Sequence, residues 1–536
     1  MSDKETRTSV AKAIAPIAWP ALAMLIVANT GSVAQLSDSA EFGLGAITVY
    51  LLPALLFLVP VAFVSAELAM GWDGGIFTWV RTAFGDRWGF QATWLQWIQS
   101  VALYPSLLSF AAASLAAAVG RPDLAANGLY VGAVVLVVFW LATFIVSRGM
   151  GATAKAGSIG LILGTIIPVV ALILFMFIWL GDGRHSDTPL ALKDVVPPVN
   201  GLASLALVVG TFVAFAGLEV NAVHIRHLRG RPRTYAPAVM VGVIVILLMY
   251  CVGSIAISVV VPTDVLNLNA GAAQAFDAYS TGLGIPSLGN LLAAALAIGA
   301  LAASIVWVAG PSRSLLLVAR EGYLPPRLQK VNRADVQTPI LIVQGLIVTV
   351  LALVFVVLPN TSTAFVVLQD MTVILYMGMY ILMFASALKL RRSKPEVERP
   401  LRVPALWLFC GAGILAALSA IILGLTPPSQ LAKTPLLAYV GIVVAGVILL
   451  AVPCQLIYHW RRPAWAKAFP QSDLASVEPA PPTSVEDVLL DPSSLHSDAP
   501  DVALGEEDVD GRPVETDQTL ATDPSKGSPH TGEDDR

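Results

Sequence analysis

The sequence predicts an all-α membrane protein with twelve transmembrane helices and both termini in the cytoplasm. Of its 536 residues, 56% are apolar and only 13% are charged, and the basic residues lie mostly between long apolar runs. Soluble domains carry roughly 25% charged residues, so a chain of this composition could not cover itself with polar surface in water. We therefore expect lipid to surround most of the chain.

Twelve stretches are long and apolar enough to cross a bilayer, which takes about 20 residues at a rise of about 1.5 Å each. Their boundaries are soft by a few residues. The first stretch follows a few basic residues but has no small-residue cleavage pattern, so it is expected to be a retained helix and not a signal peptide. The stretches are residues 13–36, 46–70, 92–119, 128–147, 157–180, 202–223, 236–260, 287–311, 338–358, 363–388, 404–426 and 436–459.

Basic residues are concentrated in alternate connecting segments. If the N-terminus is cytoplasmic, the inner segments hold 25 Lys and Arg, and the outer loops hold four. Cytoplasmic loops are enriched in Lys and Arg, so this bias predicts cytoplasmic termini and a location in the cell inner (plasma) membrane. It also supports the number of spans, because one missed helix would invert the alternation further along the chain.

The charge balance changes sharply near the C-terminus. Residues 1–470 hold 29 Lys and Arg against 19 Asp and Glu, whereas residues 471–536 hold three against 17. The second segment is rich in Pro and Ser and poor in aromatic residues, so it cannot bury enough apolar surface to offset its ordering entropy. We expect residues 471–536 to form a disordered acidic cytoplasmic tail, and residues 1–12 to form a short cytoplasmic N-terminus.

Small and polar residues interrupt two of the predicted spans. The first span contains Asn-Thr-Gly-Ser at residues 29–32, and the sixth contains Ala-Phe-Ala-Gly-Leu-Glu at residues 214–219. Irregular backbone at membrane depth is tolerated only where it lines a cavity or is buried in protein. Paired interruptions in equivalent helices of an internal repeat indicate a binding site near mid-membrane. Close packing of helices through small residues is the alternative.

Acidic residues are rare at the predicted membrane depth. An ionised carboxylate there is costly, so Glu219 must be paired, hydrated or protonated. This suits a proton-coupling or gating group, and capping of freed backbone amides is a compatible alternative. Glu67, at the end of the second span, is expected to form a structural ion pair or to serve the helix end. Asp370, early in the tenth span, either lines an outer vestibule or has no role beyond the fold.

Several aromatic side chains could bound a pocket, with ordinary packing as the alternative. Tyr376 and Tyr380 are four residues apart, so they share one helix face. Trp307 lies in the eighth predicted span.

The sequence lacks the motifs of several enzyme classes. It has no phosphate-binding Gly-rich loop, no GxSxG turn and no paired His ligands on one helix. Its scattered basic loops do not form a nucleic-acid surface. We therefore expect no enzyme activity, no metal or other cofactor and no nucleic-acid partner. The three cysteines lack metal-ligand spacing and are expected to be buried small side chains, at Cys251, Cys410 and Cys454.

Local strings resemble the amino acid–polyamine–organocation (APC) superfamily over roughly residues 10–465. Residues 66–69 (Ala-Glu-Leu-Ala), with 74–80 (Gly-Gly-Ile-Phe-Thr-Trp-Val) and 85–90 (Gly-Asp-Arg-Trp-Gly-Phe), are similar to the end of its second helix and the loop before its third. Residues 215–222 (Phe-Ala-Gly-Leu-Glu-Val-Asn-Ala) resemble the broken sixth helix of these permeases.

Two further strings narrow the resemblance. Residues 310–313 (Gly-Pro-Ser-Arg) and 319–325 (Ala-Arg-Glu-Gly-Tyr-Leu-Pro) resemble the eighth helix and the loop that follows it. The outer-loop residues 261–271, together with 310–313, are similar to the bacterial glutamate/γ-aminobutyrate antiporter branch.

The resemblance implies the inverted-repeat fold of the leucine-transporter type. Residues 13–180 (helices 1–5) would be mirrored by residues 202–388 (helices 6–10), with two extra helices over residues 404–459. It also implies a secondary transporter that moves an amino acid or its decarboxylated amine, by exchange or with protons. The alternatives are a permease for polyamines or other organic cations, and a nutrient sensor of this fold that signals through the acidic tail.

The resemblance also implies a site at the two broken helices, where half-helix ends offer unpaired amides and a positive dipole end. Glu219 would be the proton-sensitive group and Phe215 a gate. One end of the substrate would be held by Asn29, Thr30, Gly31 and Ser32. The facing wall would comprise Ala214, Phe215 and Gly217, and the side-chain pocket would be bounded by Trp307, Tyr376 and Tyr380.

The sequence departs from the antiporter branch at particular positions. Ala303 stands where those exchangers carry an acidic residue in the eighth helix, and Gln35 or Leu36 stands where they carry an aromatic residue near the first break. The low-complexity tail also differs from the folded cytoplasmic plug of some of them. The sequence thus leaves open the identity of the substrate, the choice between exchange and proton symport, and the oligomeric state.

Overall fold

The computed structural model describes residues 23–468, apart from residues 25, 28–29, 199–200, 223–234, 359 and 429–434. This part of the chain is helical or irregular and contains no β-strand. The predicted all-α fold is therefore confirmed over the described residues. The predicted N-terminus and acidic tail lie outside them, as does part of the first predicted span.

Ten described helices are long and apolar enough to cross a membrane. They coincide with ten of the twelve predicted spans, so the chain is a multi-pass membrane protein. With all helices numbered in chain order, the ten are α2 (Gly43–Gly71), α4 (Asp86–Ala118), α5 (Gly128–Ser147), α6 (Lys155–Gly181), α9 (Pro237–Ser258), α11 (Pro286–Tyr323), α12 (Thr338–Val357), α13 (Thr361–Ser393), α14 (Leu406–Gly424) and α15 (Leu436–Trp460).

The first and sixth predicted spans consist of shorter described pieces. The sixth forms one apolar helical stretch, Ala206–Val220, which is interrupted near its end. The twelve-span count and the cytoplasmic location of the termini therefore stay predictions. The shorter helices are α1 (Leu36–Ala40), α3 (Gly75–Phe84), α7 (Val209–Phe215), α8 (Leu218–Ala222) and α10 (Gly271–Gly282).

Helix α4 lies in the interior, and α15 lies at the periphery. In the most apolar window of α4, 83% of the residues are buried, against 17% for α15. A helix that is buried on all sides belongs to the core, whereas one with an exposed apolar surface faces lipid. Helix α4 packs against both α11 and α13. These two helices and α4 carry much of the site described below.

Helices α6 and α11 cross with their backbones in contact. A Cβ atom added at Gly164 would lie 2.2 Å from the Cα of Gly299, and one added at Gly160 would lie 2.3 Å from the Cβ of Ala302. Small residues allow such close approach between membrane helices, where van der Waals packing drives association. This crossing requires glycine at residue 164.

The end of α2 is tied to the end of α13. Glu67 is buried, and its Oε2 accepts hydrogen bonds from Arg391 Nη2 at 2.8 Å and from the Val403 N–H at 2.8 Å. The guanidinium of Arg399 lies 3.8 Å from the other carboxylate oxygen. The predicted structural ion pair of Glu67 is confirmed.

We predict that Gly164→Ala lowers the thermal unfolding temperature of the purified protein, because the added methyl group overlaps the backbone of α11. Overpacking of this kind costs about 1–3 kcal/mol. Gly181→Ala is the matched control, since it lies in the same helix and its Cβ would have no neighbour within 4 Å. Equal unfolding temperatures for the two variants would contradict the close crossing.

Candidate functional site

The first-helix segment loses its helical conformation between Thr30 and Val33. The N–H of Gly31 still bonds to the Val27 carbonyl at 2.7 Å, but Ser32 is extended, with φ −141° and ψ 128°. A short 3-10 turn follows over Val33–Gln35, and α1 begins directly after it. The predicted interruption is therefore present at residues 30–32. Asn29, which was also predicted to hold the substrate, lies outside the described residues.

The sixth segment breaks between α7 and α8. Helix α7 ends at Phe215, Ala216 is extended at φ −75° and ψ 154°, and Gly217 has φ 95°. A positive φ of this size is readily adopted only by glycine, which explains the residue type at the break. The Gly217 N–H donates to the hydroxyl of Tyr380 at 2.9 Å. Both interruptions predicted from the sequence are real breaks in the helices.

One tyrosine of α9 holds both breaks together. The Tyr250 hydroxyl donates to the Thr30 carbonyl at 2.6 Å and accepts from the Ser32 N–H at 3.2 Å. It also lies 3.3 Å from the Ala214 carbonyl. Unpaired backbone groups are costly at membrane depth, and this buried hydroxyl satisfies several of them. Tyr250 was not among the residues predicted from the sequence, although a tyrosine inside an apolar span indicates that its hydroxyl has a partner.

Glu219 of α8 is buried and hydrogen-bonded by neutral donors. Tyr376 donates to Oε1 at 2.8 Å, Tyr380 donates to Oε2, and Gln96 Nε2 lies 3.2 Å from Oε1. Within the described part of the chain, no Lys, Arg or His side chain lies within ion-pair distance of this carboxylate. The carboxyl group is thus held in place without a fixed counter-charge.

The two tyrosines stack on each other as their spacing predicts. The ring centroids of Tyr376 and Tyr380 are 4.8 Å apart, with an interplanar angle of 28°. Tyr376 lines a cavity next to the breaks, whereas Tyr380 is fully buried behind it. The pair therefore connects the Glu219 carboxylate to that cavity.

The cavity has a volume of about 300 Å³ and lies between the two breaks. This is at the lower end of the range of about 300–1,000 Å³ that is typical of small-molecule sites. Its walls come from both broken segments and from α4, α6, α11 and α13. The predicted site residues that line it are Thr30, Gly31, Ser32, Ala214, Gly217, Trp307 and Tyr376.

Phe215 is fully buried and does not line this cavity. Its ring packs edge-on against Tyr50 and Tyr250, at centroid distances of 6.0 and 6.1 Å. It supports the tyrosine that joins the breaks. The role of Phe215 as a gate, which the family resemblance implies, stays a prediction.

The cavity lining contains both polar and apolar residues, and none of the described residues that line it is charged. Three of its polar oxygens are buried without a hydrogen-bond partner: Thr30 Oγ1, Gln35 Oε1 and Gln99 Oε1. Acceptors of this kind can bind the N–H groups of an ammonium ion. The apolar lining residues include Leu103, Leu107, Phe110, Ala300, Ala303 and Val306.

The remaining residues noted in the sequence are Asp370 and the three cysteines. Asp370 is buried, and one of its carboxylate oxygens accepts a hydrogen bond from Tyr439. Cys410 and Cys454 are buried as predicted, and Cys251 is half-buried. Across the described residues there is no group of three His, Cys, Asp or Glu side chains that could hold a metal ion.

Comparisons with known proteins identify the family to which the chain is similar. The family model for the amino acid permeases matches residues 17–448. An uncharacterized transporter of Legionella pneumophila is 34% identical over 437 residues, which cover 80% of this chain and 93% of that protein. A glutamate/gamma-aminobutyrate antiporter of Lactococcus lactis is 29% identical over 76% of this chain and 83% of its own length. A probable agmatine/putrescine antiporter of the same species is 22% identical over 65% and 73%.

The family match covers both helix breaks, the uncharged cavity between them and the buried carboxylate of Glu219. These proteins are transporters and not enzymes. The chain belongs to the amino acid permease family and is an amino acid transporter of the membrane.

Proposed function

We propose that this permease exchanges amino acids, or an acidic amino acid and its decarboxylated amine, and that the substrate carries no net charge when it is bound. The observation that carries the proposal is the uncharged cavity between the two helix breaks. A substrate side chain with a formal charge would find no counter-charge there, and an unpaired buried charge is costly. A neutral side chain, or a carboxyl group that binds protonated, avoids that cost. The antiporter relative supports exchange as the mode of transport.

In this proposal the backbone of the substrate lies at the breaks. Its ammonium group faces the unpartnered oxygens of Thr30, Gln35 and Gln99. Its carboxylate lies at the irregular backbone of residues 30–32, where the N-terminus of the half-helix that follows favours negative charge. Its side chain extends along the α4 and α11 wall, with Trp307 beside Gly217. A Cβ at Gly217 would lie 3.4 Å from the Trp307 ring, so this ring closes the pocket next to the break.

Alternating access is the proposed mechanism. Residues 13–180 and 202–388 would form the two inverted repeats, with helices over 404–459 outside them and both termini in the cytoplasm. Breaks in the first helix of each repeat support this division, because such breaks mark the site between repeats. Movement of one repeat against the other would expose the cavity to each side in turn.

Glu219 is the proposed proton-coupling group. Its carboxylate has three neutral donors and no fixed counter-charge among the described residues, so a proton is its available partner. Tyr380 links this carboxylate to the Gly217 N–H in the break. A change of charge at Glu219 would therefore alter the hydrogen bonding of the backbone that borders the substrate.

We predict that Glu219→Gln flattens the pH dependence of amino acid uptake in liposomes, because the amide cannot exchange a proton in this range. Gln96→Met is the control, since it removes one donor to the carboxylate and keeps the carboxyl group. Uptake would be measured by counterflow of labelled substrate at a series of pH values. An unchanged pH profile in Glu219→Gln would remove Glu219 from the proposed role.

We predict that wild-type protein prefers amino acids with neutral side chains over lysine and over agmatine or putrescine. Ala303→Glu should raise exchange of these cationic substrates by about tenfold or more, because a carboxylate in the lining offsets their charge; tenfold corresponds to about 1.4 kcal/mol. Ala303→Gln is the matched uncharged control. Strong transport of polyamines by the wild type would favour the organic-cation alternative. Movement of neither amino acids nor amines, with or without internal counter-substrate, would contradict transport of either class.

A nutrient sensor that signals through the acidic tail is the second candidate, and the strongly acidic composition of residues 471–536 is the observation that favours it. We predict that deletion of these residues leaves counterflow of substrate unchanged, because every described residue of the cavity lining lies before residue 377. Deletion of residues 1–12 is a control for the loss of a charged terminus. Loss of transport only on removal of the tail would show that the tail is part of the working transporter.

A further inference from the structure

A further buried carboxylate lies outside the cavity lining. Asp38 of α1 is fully buried, six residues beyond the extended Ser32. Its Oδ2 accepts a hydrogen bond from Gln369 Nε2 at 2.6 Å, and its Oδ1 has no hydrogen-bond partner. Asp38 was not predicted as a site residue, because it follows the first predicted span. The proposed site does not include Asp38.

Several elements meet at this carboxylate. Helix α7 approaches so closely that a Cβ at Gly210 would lie 2.1 Å from Asp38 Oδ2 and 3.0 Å from Gln369 Nε2. Glu41 follows on the next turn, and Tyr50 on α2 and Asp370 on α13 are close enough to interact electrostatically. Among the described residues, the charged or titratable groups that interact with Asp38 are acids or tyrosines. Over the described residues, no Lys, Arg or His lies within ion-pair distance.

Two acceptor oxygens of the Asp38–Gln369 pair have no hydrogen-bond donor. The Oε1 of Gln369, on the same amide that donates to Asp38, is buried without a partner. The Oδ1 of Asp38 is likewise buried without one. An ionised carboxylate only accepts hydrogen bonds, whereas a protonated one also donates. One added proton would therefore reduce the number of acceptors without a donor.

The Gln369 amide can serve either protonation state of Asp38. With Asp38 ionised, the NH₂ group of Gln369 donates to the carboxylate, which is the hydrogen bond present in the structure. With Asp38 protonated, rotation of the amide by a half-turn would present its oxygen to the carboxyl O–H. No other side chain need move for the pair to remain hydrogen-bonded. The pair is therefore compatible with uptake and release of a proton at a fixed position.

We propose that Asp38 and Gln369 form a second proton-binding site of this permease. The proton passes from water to the Asp38 carboxylate and returns to water on release, so no other bond changes. Asp38 lies beyond the break in the first helix. Its hydrogen-bond partner Gln369 lies on α13, and Gly210 of α7 packs closely against its carboxylate. Separation of these elements would admit water to the carboxylate, and their closure would exclude it. The link to transport rests on the proposed function, but proton binding itself does not.

The test counts protons bound by the purified full-length protein when the pH is lowered from about 8 to about 5.5, with a pH-indicator dye. Asp38→Asn is expected to bind about one proton per chain fewer than the wild type, because only the carboxyl group is lost. Asp264→Asn is the matched control: it removes a carboxyl group that is already exposed to water, and its proton count should equal that of the wild type. An unchanged count in Asp38→Asn would overturn the proposal.

A second measurement uses the wild-type protein and does not depend on the folding of a variant. A hydrophobic carbodiimide reacts with buried protonated carboxyl groups, so the peptide containing Asp38 should be modified at the lower pH and spared at the higher pH. Modification that does not change with pH, or none at any pH, would contradict proton exchange. Sodium-dependent transport that is lost in Asp38→Asn, with an unchanged proton count, would assign the site to a metal cation and overturn the proposal.

The outcomes for this site and for the proposed function can be separated. If Glu219→Gln flattens the pH profile while Asp38→Asn binds as many protons as the wild type, the proposed function stands and the second site falls. If Asp38→Asn binds one proton fewer but no amino acid or amine is moved by the wild type, the second site stands and the proposed function falls.

Discussion

The hydrogen bonds of the Tyr250 hydroxyl are the interaction on which the candidate site depends. Two helices are broken at a depth where water is scarce, and each break leaves backbone groups without helical partners. A single hydroxyl from α9 contacts Thr30 and Ser32 in one break and Ala214 in the other. Because it contacts both breaks, it also fixes the distance between them.

Several aromatic residues near the site do not line the cavity, because their rings pack against Tyr250 and hold it in place. The Tyr50 ring stacks on Tyr250 at a centroid distance of 5.2 Å, and Phe215 packs edge-on against both rings. The Tyr50 hydroxyl in turn donates to the Gln35 carbonyl, which follows the first break. These rings hold the hydroxyl of Tyr250 in position. An aromatic residue within a binding motif can thus serve the site by packing behind it.

The sequence predicted the features that depend on local pattern. Ten spans could be found because bilayer thickness fixes their length, and both breaks could be found because their small and polar residues interrupt apolar runs. Tyr376 and Tyr380 were paired correctly because helical spacing fixes their common face. Tyr250 and Asp38 were missed because their partners are distant in sequence. Tyr250 is 220 residues from Thr30, and Asp38 is 331 residues from Gln369, so no local pattern joins them.

The positions of Glu219 and Asp38 would separate the proposed proton binding from substrate binding. Glu219 is buried behind Tyr376 and Tyr380, and the described cavity lining itself is uncharged. A carboxylate inside the cavity would attract cationic substrates. It would have to be protonated whenever a neutral substrate is bound. Behind the tyrosines, its charge acts through the hydroxyl of Tyr380, which also holds the Gly217 N–H of the break. The proposed exchange of a proton can therefore change the backbone at the site while the lining keeps its preference for a neutral substrate.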